Sequence, residues 1–375
     1  MAIYKIFPDN DSTIYTQLAL GNSGLDEILE LGGFPINDIG QSARTLIKFK
    51  TSEISNVIDN KINPSITTGS FSSSINIFLA EAYEAPTTTE VYSYPLYQSY
   101  TSGIGKFGDN PLDKSGVNWV YRNASDTNKW ITAEQGLYPA NVTASYSSNY
   151  VGGGAWYTGS NGIDLESSQI LTENGSLDLD LDVTNAIVEF YSGNLTNNGF
   201  ILKLDDENEF ISSSAFRFKY YGGDTNTIFP PTLTFKWDDS NYDTGSLSVL
   251  ATDQVTVGIK NNKGSYTDEG KQRFRLFARP TFPVRTFSTE SVYNTNFALP
   301  TASNWALRDE FSEELIIPFD DNYTKISCDS SGPFFDVYMD GLQPERFYRI
   351  LIKTTLDGTT TVVNNNDIFK VVRNG

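Results

Sequence analysis

Acidic residues at alternate positions are the first side chains in this sequence whose type and spacing could do chemistry. Asp178, Asp180 and Asp182 have the spacing of calcium-loop ligands. Glu189 supplies a further oxygen donor, but Val183 stands where such a loop needs a glycine for its sharp turn. The leucines between the aspartates alternate as in a strand with one buried face. We therefore expect a solvated strand face, with calcium as the less favoured alternative and no other cofactor.

The lack of histidine excludes most of the usual catalytic arrangements. With no histidine, the chain has no Ser-His-Asp or Cys-His site and lacks the commonest zinc ligand. Its one cysteine, Cys328, allows no intrachain disulfide, and we expect a small buried residue in a strand. Paired carboxylates can hydrolyse glycosides without histidine, but nothing in the sequence distinguishes two of the 46 acidic residues. We therefore expect a protein that is not an enzyme.

The charge balance restricts the partners. A net charge of −19 opposes binding to nucleic acid or to an anionic membrane through a general basic surface. The sequence has no apolar run of membrane-spanning length, and its first residues do not resemble a secretory signal. The glycine run at 152–154 is not followed by the Gly-Lys-Ser/Thr of a phosphate loop. We expect neither nucleic acid nor membrane as a partner.

Aromatic residues among small polar residues mark the segment 86–162 as a candidate recognition surface. Five tyrosines lie between residues 83 and 100 alone. Such a composition is typical of binding surfaces, where the rings could stack on sugars. The favoured alternative is that the rings cover the open end of a β-sandwich. The candidate glycan contacts are Tyr92, Tyr94, Tyr97, Trp119 and Trp156.

The elements that must position these residues are predicted to be strands. The organising stretch runs from Leu177 to Leu204, where period-two alternation gives way to helical spacing after Thr184, which could cap the helix. Glycine and an Asn-Asn-Gly turn then end the helix, and a strand begins at Phe200. Strand, short helix and strand predict the rim of a β-sandwich where the chain changes sheets. A short helix over 53–58 is also predicted, and the other predicted strands of this half are 3–7, 12–17, 27–31, 43–50, 74–85, 215–221 and 231–237.

The second half is predicted to be another β-sandwich after an acidic linker at 238–246. We therefore predict two domains, residues 1–240, with a tyrosine-rich insertion at about 86–162, and residues 241–375. Leu342, Pro344 and Tyr348 have the spacing of a tyrosine corner, in which the phenol bonds to upstream backbone. This half resembles fibronectin type III domains. Its clearest predicted strands are 255–260, 272–278, 315–319, 334–339, 348–355 and 368–372.

Four segments of the first half occur in an order that a known family shares: DSTIY at 11–15, RTLIKF at 44–49, VNW at 117–119 and DVTNAIVEFYSGN from 182. Through them the first half resembles the DNRLRE family of jelly-roll domains, which occur on bacterial surface proteins and in phage structural proteins. Phe190 stands where the family usually has tryptophan. The resemblance implies a jelly-roll fold for residues 1–237, with Trp119 and Phe190 at structural positions.

The chain is rich in Asn, Ser and Thr, begins without a recognisable secretory signal and adds a fibronectin-like half to the first domain. In these features the whole chain is similar to virion structural proteins of tailed phages, particularly myoviruses of marine cyanobacteria. This implies an all-β protein, with an N-terminal jelly-roll β-sandwich followed by an Ig/fibronectin III-like β-sandwich. It also implies a location in the virion and a role in the tail, neck, baseplate or fibre, with other virion proteins as partners and a homo-oligomer in a symmetric assembly. The alternative is a carbohydrate-binding adhesin module whose partner is a host surface glycan.

Overall fold

The structure is a computed structural model, and it describes residues 2–62, 71–132, 140–144, 151–284 and 291–374. Strands make up 44% of the chain and helices 8%, which confirms the predicted all-β sandwich class. In the described part of the chain, no helix has the length and hydropathy to span a bilayer. The chain divides into two compact units, Ile6–Thr234 and Met1–Lys5 with Phe235–Gly375, here the N-terminal and C-terminal units.

In the described residues before 238, the chain forms eighteen strands and three short helices. The helices are α1 (Thr51–Val57, continued by a π-helical turn, Ile58–Ile62), α2 (Thr184–Tyr191) and α3 (Asp206–Glu209). The strands are β1 (Ala2–Ile6), β2 (Asn10–Tyr15), β3 (Ile28–Ile36), β4 (Ile39–Lys48), β5 (Ser72–Ile77), β6 (Leu79–Tyr83), β7 (Thr88–Pro95), β8 (Tyr121–Asn123), β9 (Asn128–Lys129), β10 (Val142–Ala144), β11 (Ala155–Tyr157), β12 (Gly159–Ser160), β13 (Ile163–Asp164), β14 (Ser167–Thr172), β15 (Leu179–Asp182), β16 (Phe200–Leu204), β17 (Phe216–Tyr221) and β18 (Thr232–Trp237).

Two of the sheets have the strand order of a jelly roll. One sheet runs β1-β18-β5-β15, and the other begins β14-β7-β16-β4 and continues through β3, β17 and β6, with β2 also paired to β4. If β1, β4, β5, β7, β14, β15, β16 and β18 are lettered B to I, these sheets read B-I-D-G and F-E-H-C. This is the arrangement of two Greek keys in a jelly roll.

The organising stretch folds as strand, helix and strand, as its changing period predicts. In β15, Leu179 and Leu181 are buried while the aspartates between them are exposed. Helix α2 buries its apolar face, including Ile187, and β16 is buried along its whole length. Thr184 is the first residue of α2 and not its cap, because its backbone N–H bonds to Oδ1 of Asp182 at 2.9 Å.

The predicted single strand over 74–85 is wrong in one respect. The chain changes sheets at Phe78, so that β5 and β6 belong to different sheets. The backbone N–H of Leu79 bonds to the Asp178 side chain at 2.7 Å. Continuous alternation in the sequence does not reveal such a crossing, because the residues on either side remain extended.

The C-terminal unit contains the remaining ten strands and two 3-10 turns, Val292–Asn294 and Met339–Gly341, in the described part of the chain. The strands are β19 (Val255–Ile259), β20 (Ser265–Thr267), β21 (Lys271–Pro280), β22 (Asn304–Asp309), β23 (Leu315–Ile317), β24 (Ser327–Asp329), β25 (Gly332–Tyr338), β26 (Phe347–Leu356), β27 (Thr359–Val363) and β28 (Ile368–Val372).

The two sheets of this unit have the order of an immunoglobulin-type sandwich. They run β19-β21-β25-β24 and β20-β28-β26-β22-β23, with β27 on β26, which correspond to A-B-E-D and A′-G-F-C-C′. Trp305 on β22 stacks on Phe335 with ring centroids 5.0 Å apart, at the centre of the core. Ile3 on β1 belongs to the same core. Strand β22 was not predicted from the sequence.

Candidate functional site

A cleft in the N-terminal unit brings charged and aromatic side chains together. It encloses about 430 Å³, which lies within the usual range for small-molecule sites. Its floor and walls include Arg44, Lys203, Glu209, Tyr94, Trp156 and Phe210, and its rim includes Asp206, Thr143 and Thr158.

Adjacent strands and the helix that follows them position the charged groups. Arg44 projects from β4 and Lys203 from β16, and these two strands are paired. Asp205 then ends β16 and caps α3, because its side chain accepts bonds from the backbone of Glu207 and Asn208. Burial opposes ionisation of Asp205, but its hydrogen bonds outweigh this effect and hold its pKa below the ordinary value.

Helix α3 places Asp206 and Glu209 over the same two cations. Glu209 lies one helical turn after Asp206, and its carboxylate accepts bonds from Arg44 Nε at 2.5 Å and Nη2 at 2.9 Å. Lys203 Nζ donates to Asp206 Oδ1 at 2.9 Å and to its neighbour's backbone, the Leu204 carbonyl, at 3.0 Å. Arg44, Lys203 and Glu209 are all at least nine-tenths buried. The result is a two-pronged ion pair inside the unit, with Lys203 3.6 Å from Glu209 Oε2.

Aromatic rings enclose these buried charges. The guanidinium carbon of Arg44 lies 4.9 Å from the Trp119 ring centroid and 5.3 Å from that of Trp156. Lys203 Nζ lies 5.8 Å from the Trp156 ring and 5.9 Å from the Tyr92 ring. Ring faces attract cations, so this shell stabilises the charges where little water reaches them.

The glycine run at 152–154 makes room for Arg44. Gly153 has a φ of +86°, and a Cβ there would lie 2.6 Å from the Trp119 ring and 2.9 Å from Arg44 Nη1. Its carbonyl accepts a bond from Arg44 Nη1. Glycine is therefore required by both backbone conformation and space, and the run serves the arginine.

Two of the predicted glycan contacts, Tyr94 and Trp156, line this cleft, and Tyr92 lies against Tyr94, but the rings are mostly covered. Tyr94 and Trp156 are only 8% and 5% exposed, and Tyr92 is half-buried in a parallel arrangement with Tyr94. Tyr97 packs edge-on against Tyr157, and it is not among the residues that line the cleft. Trp119 belongs to the buried aromatic core. The rings therefore form the walls of the cleft and not an open stacking platform.

Two carboxylates hold the tyrosine hydroxyls of the wall. Tyr92 donates to Glu90 at 2.8 Å, and Tyr94 donates to Glu166 at 2.6 Å. The bond to Glu90, with burial, raises the pKa of Tyr92 to about 12. Burial, with the bond to Glu166, raises the pKa of Tyr94 well above its ordinary value. Both phenols therefore stay protonated at neutral pH and act as fixed donors.

The residues predicted as metal ligands serve separate purposes. Glu189 is buried on α2 and accepts bonds from the side chains of Ser160, Asn161 and Asn194. Among the described residues, no group of three or more acidic or cysteine side chains could hold a metal ion. The aspartates each have a different partner: Asp178 accepts from Leu79 N, Asp180 from Asn76 Nδ2 and Asp182 from Thr184 N and Oγ1.

The other predicted structural residues lie in the cores of the two units. Tyr348, on β26, is buried and donates to the Gln343 carbonyl at 2.9 Å, which is the geometry of a tyrosine corner. Leu342 is buried, and Pro344 is half-buried on the loop between them. Phe190 packs against a neighbouring phenylalanine ring of β16, and Cys328 is buried in β24, where burial raises its pKa.

Sequence reasoning missed the buried charges Arg44, Lys203 and Glu209. Two signals pointed to them. Lys203 interrupts an otherwise apolar strand and Arg44 precedes the apolar end of β4, and a charge in such a place needs a partner. The partner Glu209 lies 165 positions from Arg44, in a segment that the sequence presents as one more acidic loop.

Comparisons with known proteins add little to this picture. No protein-family model and no curated protein matches the chain. Among solved structures, the β-glucuronidase of Parabacteroides merdae matches with 7% identity and a TM-score of 0.16, over 96% of this chain and 36% of the glucuronidase. The chain thus spans about a third of that enzyme's length, and a TM-score this low does not indicate a shared fold.

Proposed function

We propose that the chain is a non-enzymatic structural protein of a tailed-phage particle, in its tail, neck, baseplate or fibre, which acts by assembly and display. The observation that carries this proposal is that one chain combines two different strand orders. The strands up to residue 237 have jelly-roll order, and the strands after it have immunoglobulin-type order. These are the folds that the resemblance to virion proteins implies.

Exposed apolar side chains on the C-terminal unit support contacts with neighbouring virion proteins. Among the described residues, the three most exposed large apolar side chains are Phe282, Val284 and Phe311, each at least 78% exposed. Phe311 lies edge-on against Phe347, which is itself exposed. Exposed aromatic residues of this kind are typical of surfaces that become buried in assemblies.

The state of the cleft carboxylates supports a role without catalysis. Glycoside hydrolysis uses one protonated carboxyl group and one free carboxylate. Glu209 is instead bound by Arg44 through both oxygens, and Asp206, the other carboxylate that lines the cleft, is paired with Lys203. These contacts are typical of carboxylates that have a structural role.

The test is mass spectrometry of purified particles from the source phage. We expect the chain at a copy number that is a multiple of three, six or twelve relative to the major capsid and tail-tube proteins. A Phe311→Ser variant should be incorporated less than a Val362→Ser variant, which changes an exposed apolar residue of β27. Absence of the unmodified chain from the particle would contradict the proposal.

A second candidate function is carbohydrate binding as an adhesin module, and the cleft favours it. Tyr92, Tyr94 and Trp156 meet there beside charged and hydroxyl groups, which is the usual composition of a small-ligand site. The two functions are compatible, because a displayed virion protein can bind a host surface glycan. Binding of the purified chain to a glycan array tests this second function.

A further inference from the structure

We infer that the cleft selects an uncharged sugar, a hexose unit of a neutral polysaccharide, and excludes acidic sugars. This inference rests on the second candidate function, glycan binding, and adds to it the location of the site and the charge class of the ligand. Three observations carry it: the charge balance around the cleft, the occupation of its two cations, and the groups that remain open at its rim.

The charges around the cleft oppose an anionic ligand. The cations that line the cleft are Arg44 and Lys203, and the carboxylates that line it are Asp206 and Glu209, so the lining itself is balanced. Glu90 and Glu166 do not line the cleft, but they accept bonds from Tyr92 and Tyr94 and so add two negative charges close to it, on a chain whose net charge is −19. A uronic acid or sulfated sugar would therefore be repelled, both on approach and in place.

Both cations are already occupied. Arg44 bonds to Glu209 and to the Gly153 carbonyl, and it is 1% exposed. The Lys203 ammonium is directed to Asp206, to a backbone carbonyl and toward Glu209. A ligand carboxylate would have to displace Asp206 from Lys203. This would exchange one carboxylate for another and would not make the free energy of binding more favourable.

The groups that remain open suit sugar hydroxyls. Asp206 is 95% exposed, and only its Oδ1 is bonded, so its second oxygen is free to accept from a hydroxyl. Thr143 and Thr158 are exposed at the rim, where their hydroxyls can donate and accept. Half-buried Phe210, with the edge of Trp156, offers apolar surface to the C–H groups of a sugar ring. A neutral hexose presents both kinds of surface.

Two rim variants test the inference in the full-length chain, because both positions are exposed and neither substitution disturbs the core. Thr143→Trp fills the mouth of the cleft, and Thr359→Trp is its control on exposed β27. Asp206→Asn removes one carboxylate that faces a lysine. Asp321→Asn is its control, since Asp321 is also exposed and lies 3.2 Å from Lys353 in the C-terminal unit.

The probes are neutral glucose, galactose and mannose tetrasaccharides, with tetragalacturonate as the acidic probe, and binding is measured by calorimetry and by tryptophan fluorescence. We expect at least one neutral probe to bind about tenfold more tightly than tetragalacturonate. Thr143→Trp should weaken that binding by about tenfold or more. Asp206→Asn should reduce the difference in affinity between the neutral probes and tetragalacturonate. Both controls should bind like the unmodified chain.

The contrary outcomes separate the proposals. Tighter binding of tetragalacturonate would overturn the charge selection, and neutral binding that is unaffected by Thr143→Trp would overturn the location. No binding to any probe would overturn this inference together with the glycan-binding function. The particle proposal is tested independently by mass spectrometry and would survive that result.

Discussion

The ion pair between Arg44 and Glu209 leads to a quantitative prediction about the stability of the N-terminal unit. Glu209→Gln removes the carboxylate that both Arg44 and Lys203 face, whereas Lys203 keeps its bond to Asp206. Removing one partner of a buried pair costs about 3 to 5 kcal/mol, since the other charge stays buried. At a urea dependence of about 3 kcal/mol/M for a unit of this size, the midpoint should fall by roughly 1 to 2 M.

Two further variants make this prediction specific. Glu81→Gln changes an exposed pair, in which Lys219 lies 2.7 Å from the carboxylate, and should leave the denaturation midpoint nearly unchanged, because water screens the pair. The double variant Arg44→Met with Glu209→Leu replaces both charges by apolar groups and should be more stable than Glu209→Gln alone.

Urea denaturation followed by hydrogen exchange and mass spectrometry is the appropriate assay, because it reports each unit of the full-length chain separately. The shift should be confined to peptides of residues 6–234. A loss below about 1 kcal/mol in Glu209→Gln would refute the claim that the pair is buried and mutually dependent. So would a double variant that is no more stable than the single one.

Three other predictions concern single groups. Burial raises the pKa of Asp11 to about 6, so Asp11 favours folding at low pH and loses this contribution as pH rises through 6. Between pH 4 and 7.5, the stability of Asp11→Asn should therefore gain about 2 kcal/mol over that of the unmodified chain, and a difference that does not vary with pH would contradict this. Tyr348→Phe should destabilise the C-terminal unit by about 1 to 3 kcal/mol, because the Gln343 carbonyl loses its donor. Tyr293→Phe, at an exposed ring, should not destabilise it, and equal denaturation midpoints for the two variants would refute the contribution of the tyrosine corner. Calcium should leave the thermal midpoint unchanged, because the alternating aspartates have separate partners. A calcium-dependent rise in the midpoint that Asp180→Asn abolishes would instead support the calcium-loop interpretation.

Local periodicity predicted the fold well where one face of a strand is buried. The leucines of β15 and the shift to helical spacing in α2 were visible because burial alternates with the same period as the sequence. Strand β22 was missed because Asn304 and Asp309 are buried together with its apolar residues, so the strand lacks alternation. Its burial on both faces arises from tertiary structure.

The cleft could be predicted only in part. The tyrosine-rich composition indicated an aromatic surface, and Tyr92, Tyr94 and Trp156 do meet at one place. That they surround a buried ion pair could not be predicted, because Arg44 and Glu209 are joined by sheet pairing and by the cap of α3. Long-range pairing of this kind leaves no periodic trace in the sequence.

The membership of β1 in the C-terminal unit has a consequence for how the chain is made and cut. Residues 2–5 are synthesised first, yet Ile3 belongs to a core completed by residues after Phe235. During synthesis this strand must therefore wait, unpaired with that core, until nearly the whole chain has emerged. For the same reason, cleavage in the acidic segment 238–246 would leave β1, with its sheet partner β18, on the fragment that lacks the rest of the second core.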